Sequence, residues 1–301
     1  MELAARNRGC LLGLACGDAV GTTVEFRDRG SFPPVTDMAG GGPFDLPIGA
    51  WTDDTSMALC LASSLVELGR FDPTDQMQRY CRWYLNGYLS STGSCFDIGL
   101  TVRGALERFQ KSGDPWAGST DPRSAGNGCI MRLAPVPMFY FPDASEAAKW
   151  SGESSRTTHG SAECIESCQL LAKMICAALS GASKEEVLFG HEPSQFQCPK
   201  VRAIAAGDYR SKHVDAISGS GYVIHCLEAS AWSFWQSSSF KEAVLLAVNL
   251  GDDADTTGAV CGQIAGAFYG DVGIPAHWLS QLVMLDEIRT LADRLAGSKS
   301  N

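Results

Sequence analysis

Two runs of glycine constrain this 301-residue chain more than any other feature. Gly9, Gly13, Gly17 and Gly21 recur every four residues near one end, and Gly258, Gly262, Gly266 and Gly270 do so near the other. At 3.6 residues per turn, that spacing leaves one stripe of a helix bare of side chains. Each glycine costs about 1 kcal/mol relative to alanine in a helix interior, so two such stripes need a reason. Close approach of another backbone supplies one. The membrane form of a small-residue stripe does not fit, because Asp18, Gln263 and Asp271 interrupt the apolar character. The pattern predicts one early and one late helix that both cross near the centre of a globular core.

The rest of the chain is also helical in pattern. Periodicity predicts helices over Met57 to Leu68, Asp75 to Tyr88, Leu100 to Gln110, Ala162 to Leu179, Ala216 to Trp235 and Lys241 to Asn249. Val136 to Phe141 is a short strand candidate, weakened by its prolines. The expected class is therefore all-α. Residues 27 to 51 and 111 to 128 are rich in turn-forming residues and read as long ordered loops, the kind that carry function. No linker or composition shift divides the sequence, so residues 1–301 read as a single domain with a sizeable core.

Charge and cysteine usage narrow the possibilities. With 34 acidic against 24 basic residues the net charge is -10, which argues against a protein that coats nucleic acid. A small anionic ligand remains compatible, since bound cations or helix N-termini reverse the field locally. No segment approaches the roughly 20 apolar residues of a membrane span. The stretch from Leu11 to Cys16 is too short for a lipoprotein signal and is followed by Asp18. The 12 cysteines contain no Cys-x-x-Cys and sit mostly in apolar runs, where a thiol is a small hydrophobe. Such usage suits a reducing compartment, and a cytoplasmic location is expected. The spacing of His159, Cys164 and Cys168 is a weak zinc pattern. Nothing in the sequence marks an oligomeric state.

Chemistry is concentrated at two places. The sequence has no Gly-Lys-Ser/Thr phosphate loop, no His-Glu-x-x-His and no Gly-x-Ser-x-Gly. It does place Thr52-Asp53-Asp54-Thr55 at the start of one apolar helix and Asp252-Asp253-Ala254-Asp255-Thr256-Thr257 at the start of the second glycine-striped one. Helix capping explains a single such side chain. It does not explain five carboxylates and several hydroxyls, because buried neighbouring carboxylates repel unless something positive lies among them. Hard divalent cations take oxygen ligands of this kind, so facing helix starts would hold one or two ions. An EF-hand beginning at Asp253 fails, since Ile264 occupies the twelfth position. A haloacid-dehalogenase reading of Asp253-x-Asp255 fails too, because that fold needs a parallel sheet after the motif and only residues 258–301 remain.

Five motifs then occur in order: Gly17-Asp18-Ala19 with Glu25, Trp51-Thr52-Asp53-Asp54-Thr55, Gly126-Asn127-Gly128-Cys129-Ile130-Met131-Arg132, Thr158-His159, and Gly251 to Ala259. Together they resemble the ADP-ribosylglycohydrolase family over roughly residues 9 to 270. The resemblance implies a compact single-domain orthogonal helical bundle with a central binuclear Mg²⁺ (or Mn²⁺) site. It implies Thr52, Asp53, Asp54, Asp253, Asp255 and Thr256 as metal ligands. It also implies a substrate loop over Ser124, Ala125, Gly126, Asn127, Gly128, Cys129 and Ile130, with His159 in the same pocket. There, glycines would allow close backbone approach and N–H groups would cradle a pyrophosphate. Asp53 and Asp97 would face the ribose, and Glu25 is similar to a mobile acidic residue beside the metals. The implied activity is metal-dependent removal of ADP-ribose from a protein or small-molecule acceptor. The spelling from Gly17 to Phe26 is nearer the arginine-directed members, with serine linkages or a non-catalytic ADP-ribose sensor as alternatives. Glu25, Asp54, Asp97 and Asp255 are the catalytic candidates, with Asp54 or Asp255 serving the water and Glu25 or Asp97 the leaving group.

Overall fold

The first helix, α1 (Leu3–Gly21), is buried from Gly9 onwards. The computed structural model describes residues 1–297. After α1 come α2 (Asp53–Leu68), α3 (Pro73–Asn86), α4 (Leu100–Ser112), α5 (Pro135–Tyr140), α6 (Ala144–Arg156) and α7 (Ala162–Ser180). The order continues with α8 (Lys184–Phe189), α9 (Pro199–Ala206), α10 (Val223–Gln236), α11 (Phe240–Val248), α12 (Ala254–Tyr269), α13 (Ala276–Gln281) and α14 (Leu285–Gly297). Strands are absent among the described residues, and the class is all-α. No helix of the described residues is long and apolar enough to cross a membrane.

The two glycine stripes pack against each other. A Cβ added to Gly9 would lie 2.2 Å from the Gly266 oxygen, one on Gly13 2.3 Å from that of Gly262, and one on Gly17 2.1 Å from that of Gly258. These separations are far inside van der Waals contact, so α1 and α12 meet backbone to backbone and antiparallel over about three turns. Gly21 continues the series against Ala254, at 2.4 Å from its oxygen. Gly270 falls outside α12 and ends it with φ +70°, a left-handed conformation that suits glycine. Arg6 Nη1 closes the same end by donating to the carbonyls of Ala178, Ala267 and Phe268, the last turns of α7 and α12.

This pairing sets the C-terminal end of α1 beside the N-terminal end of α12. The start of α2 joins them there, and its residues from Asp53 to Leu65 are all buried. Three chain segments far apart in sequence thus bring their acidic residues to one point.

Local signals elsewhere are orthodox. Asp72 caps α3 by accepting from the amides of Thr74 and Asp75, with Pro73 in the first turn and Gly87 past the end. Two sequence expectations fail. Val136 to Phe141 is not a strand but falls mostly within α5, where prolines occupy the first turn and need no N–H partner. The helix expected from Ala216 begins only at Val223, because the Ser/Gly segment before it is irregular and turns towards the acidic cluster.

Candidate active site

Asp18 organises the site from within α1. It is fully buried, and its Oδ1 accepts the Thr52 amide at 2.9 Å and the Thr52 hydroxyl at 3.0 Å. Its Oδ2 accepts the Thr55 amide at 3.0 Å and the Thr55 hydroxyl at 2.6 Å. The first turn of α2 is therefore capped by a carboxylate from another helix. Thr52, at the N-cap of α2, and Asp253, at that of α12, make no side-chain cap bond of their own. Capping does not account for the two acidic clusters.

The cross-connections run between the two helix starts instead. Thr52 Oγ1 lies 3.1 Å from Asp255 Oδ2, and Thr256 Oγ1 donates to Asp54 Oδ1 at 3.3 Å. Asn127 Nδ2 donates to Asp253 Oδ2 at 2.9 Å. Carboxylate oxygens of Glu25, Asp97 and Asp255 lie within 4.8 Å of one another. Among the described residues, three buried carboxylate oxygens have no hydrogen-bond partner: Glu25 Oε2, Asp54 Oδ2 and Asp255 Oδ1. Leaving buried carboxylate oxygens bare is costly. A set of bare carboxylate oxygens fits a hard divalent cation, and Glu25, Asp97 and Asp255 bring theirs close enough together to hold one.

Electrostatics agree with that fit. Burial, then the neighbouring charges of Asp97 and Asp253, push Glu25 up to about 10. Burial, then Asp253 and Asp18, push Asp97 up to about 8. Asp18 rises to about 6 through burial, restrained by its four hydrogen bonds from Thr52 and Thr55. Asp53, Asp54, Asp253 and Asp255 are all raised, with burial the largest cause. Without cations, then, the cluster holds protons at neutral pH. Glu25 is hydrogen-bonded to Asp97 and holds its proton more tightly.

A cleft of about 230 Å³ opens onto these residues, lined among others by Glu25, Asp53, Asp97, Asp253, Asp255 and Thr256. Asp54 and Thr52 do not line it and sit fully buried beneath. Gly126, Asn127, Gly128 and His159 form the opposite wall. Phe26 and Leu100 edge the cleft with 66% and 82% of their surface exposed. Phe26 and Asp97 have φ of +61° and +57°, as does the neighbouring Asp252 at +62°, a cluster of strained backbone beside the cleft. The cleft shares Thr101, Gly126 and Gly221 with a second one of about 560 Å³, lined also by Arg123, Ser124, Ala125, Lys200 and Tyr222. A larger groove of about 1010 Å³, near Phe141, Lys173 and His191, lies away from all of these residues.

The loop departs from expectation in detail. Cys129 and Ile130 line neither cleft and are buried in the core. The missing Cβ of Gly128 makes room for the His159 ring, whose Cε1 would be 2.9 Å from it. The Gly126 and Asn127 amides are already bonded to Ser124 O and Gly221 O, at 2.9 and 3.0 Å, so neither is free for an anion.

A family profile for ADP-ribosylglycohydrolase matches residues 1–301. The chain belongs to the ADP-ribosylglycohydrolase family. It is 47% identical over 289 residues to the ADP-ribosylarginine hydrolase Tri1 of Serratia proteamaculans (strain 568), covering 96% of this chain and 78% of that protein. It is 31% identical over 298 residues to the ADP-ribosyl-[dinitrogen reductase] glycohydrolase of Rhodospirillum rubrum, covering 96% and 95%. A solved structure described as an ADP-ribosylglycohydrolase-related protein complex superposes with TM-score 0.87 at 43% identity, over 98% of each chain. This ADP-ribosylglycohydrolase is accordingly a hydrolase of ADP-ribose linkages.

Sequence reasoning left two parts of the ADP-ribosylglycohydrolase site unassigned. Asp18 was visible as an acid inside an apolar stripe, but its partners at Thr52 and Thr55 belong to another helix. The helical pattern from Ala216 runs across residues 219–221, which the structure leaves outside α10. Gly219 O accepts the Asp253 amide at 3.0 Å, and a Cβ on Gly221 would come 3.0 Å from Asp253 Oδ2. The Ser-Gly-Ser-Gly spelling was the available signal.

Proposed function

We propose that this hydrolase removes ADP-ribose from modified arginine side chains of proteins, as one functional unit of residues 1–301 requiring two Mg²⁺ ions, with Mn²⁺ as substitute. The observation that carries the reading is the trio of bare, buried carboxylate oxygens on Glu25, Asp54 and Asp255, beside a cleft walled by a glycine loop. The preference for arginine is supported by the relatives named ADP-ribosylarginine hydrolase, one 47% and another 48% identical to this chain. Twelve cysteines outside any disulfide among the described residues, most of them buried, support a cytoplasmic setting.

In this reading Thr52, Asp53, Asp54, Asp253, Asp255 and Thr256 hold the ions. Divalent cations held there would supply charge neutralisation of the carboxylates, orientation of the ribose hydroxyls and a more acidic water. The bond between the anomeric carbon and the guanidine nitrogen breaks with oxocarbenium character, which the surrounding carboxylates stabilise. Asp255 lines the cleft and Asp54 does not, so Asp255 takes the proton of the attacking water. Glu25 and Asp97, hydrogen-bonded to each other on the cleft wall, are placed to pass a proton to the departing guanidine. Asp53 and Asp97 face the ribose; His159 and the loop from Ser124 to Gly128 face the pyrophosphate, with Cys129 and Ile130 supporting the loop from behind.

The test is release of free ADP-ribose from mono-ADP-ribosyl-arginine protein, with Mg²⁺ and with EDTA, run beside a serine-linked substrate. Metal-dependent release from arginine alone supports the proposal. Release from serine alone reassigns the acceptor. No release, with ADP-ribose still raising the melting temperature, makes the protein a sensor.

A further inference from the structure

Arg132 is fully buried, yet no carboxylate is among its partners. Its Nη1 donates to the Gly128 carbonyl at 2.7 Å, and its Nη2 donates to Thr158 Oγ1 at 2.6 Å. The Met57 sulfur lies 3.9 Å from Nη1, and the guanidinium carbon sits 4.8 Å from the centre of the Tyr80 ring. Its Nε has no partner. An always-charged side chain held in the core by neutral groups is expensive unless its position is needed.

Hydrogen-bond counting shows what that position does. Thr158 is fully buried and its hydroxyl has one hydrogen. The oxygen accepts from Arg132, and its other neighbour is His159 Nδ1 at 2.8 Å. If Nδ1 carried a proton, the threonine hydrogen would be buried with no acceptor. The hydroxyl therefore donates to Nδ1. The cation on its oxygen strengthens that donation. Burial, opposed by the neighbouring Cys129 thiol and aided by Arg132, lowers His159 to about 4, so the ring is neutral at physiological pH. Its remaining proton is then on Nε2, the edge that faces Gly126 at the cleft wall. The ring cannot swing away, because it packs where a Gly128 Cβ would be, and its backbone N–H is bonded to Ser155 O at 2.7 Å.

We propose that Arg132 is a positioning residue: through the Thr158 hydroxyl it locks His159 as the Nε2–H tautomer, so that the cleft presents one fixed, uncharged donor to an oxygen of the bound nucleotide's pyrophosphate. The same guanidinium holds the Gly128 carbonyl, so the donor and the loop opposite the carboxylates are set by one group. The ligand half of this statement rests on the ADP-ribose reading; the tautomer half does not.

The experiment uses ¹⁵N-histidine-labelled full-length protein, with the His159 resonances identified by their loss in His159→Asn. Long-range proton–nitrogen spectra of the free protein assign the tautomer, and calorimetry with ADP-ribose in Mg²⁺ measures affinity. Wild type should show a protonated Nε2 and a bare Nδ1. Thr158→Val keeps the shape, removes the hydroxyl and should give a mixed or reversed tautomer with ADP-ribose affinity about 10-fold weaker. Thr158→Ser should restore both. A protonated Nδ1 in wild type overturns the proposal, as does Thr158→Val with a pure Nε2–H tautomer and undiminished affinity. If Thr158→Val fails to fold, Arg132→Lys takes its place under the same two criteria. Wild type with the expected tautomer but no ADP-ribose binding refutes the ligand reading and leaves the lock standing.

Discussion

Asp18 and Thr55 sit on different helices, and one carboxylate oxygen of Asp18 accepts both the amide and the hydroxyl of Thr55, at 3.0 and 2.6 Å. With the matching pair from Thr52, a single buried acid fixes the turn that carries Asp53 and Asp54. Asp18→Asn puts an amide NH₂ where only acceptors fit, so one or two donors lose their partner. We expect hydrolysis to fall about 10–100-fold, in line with other residues that hold metal ligands in place. A steady-state assay and a Mg²⁺ titration followed by melting temperature check this; unchanged Mg²⁺ dependence would mean that Asp18 is merely structural.

Asp255→Asn separates chemistry from stability. Turnover should drop on the order of a hundredfold or more, because both the cation site and the water's base are damaged. The metal-free melting temperature should hold or rise, since one member of a mutually repelling group is neutralised. The rise in melting temperature on adding Mg²⁺ should shrink. Full activity in this variant would falsify the role given to the acidic cluster.

Metal-free protein should lose stability as pH rises. Folded Asp97 and Glu25 titrate near 8 and 10, against ordinary values of 3.8 and 4.5. Between those limits the native state binds more protons than the unfolded chain, so the free energy of unfolding decreases with pH. In EDTA the melting temperature should fall from about pH 5 to about pH 8, and Mg²⁺ should flatten the slope by taking the place of the protons. A slope that is the same with and without Mg²⁺ would count against a cation among these carboxylates.

Gly262→Ala should be severe for a residue so far from any charge. Its Cβ would lie 2.0 Å from the Gly13 oxygen, and backbone on both sides leaves little room to yield. A loss of about 3 kcal/mol or more is expected, seen as a melting temperature lower by about 6–12 °C. Gly104→Ala is the control, because its Cβ meets only the flexible end of Arg108, at 3.2 Å. It should be neutral or gain up to about 1 kcal/mol.

What could be read from the sequence was what is carried by local repetition. The four-residue spacing of glycines pointed to a tight central crossing, and the stacked acids at Thr52–Asp54 and Asp252–Asp255 pointed to a shared task. What could not be read depends on partners distant in the chain. The capping of Thr52 and Thr55 by Asp18 has no local mark, and neither does the use of Gly128 to seat His159. Val136 to Phe141 misleads because a buried apolar run has no period to separate helix from strand. The segment before Val223 misleads because its apolar flanks continue a helical pattern across two glycines that in fact bend towards Asp253.

The glycine-to-glycine contact also dictates an order of events during synthesis. The ribosome delivers α1 first and α12 more than two hundred residues later. At about 5–20 residues per second, the early helix waits ten seconds or more with a naked peptide face and no mate. During that wait Asp53 and Asp54 face neither Asp253 nor Asp255, so in the reading proposed above a complete cation site forms only after the two helices have paired, late in synthesis.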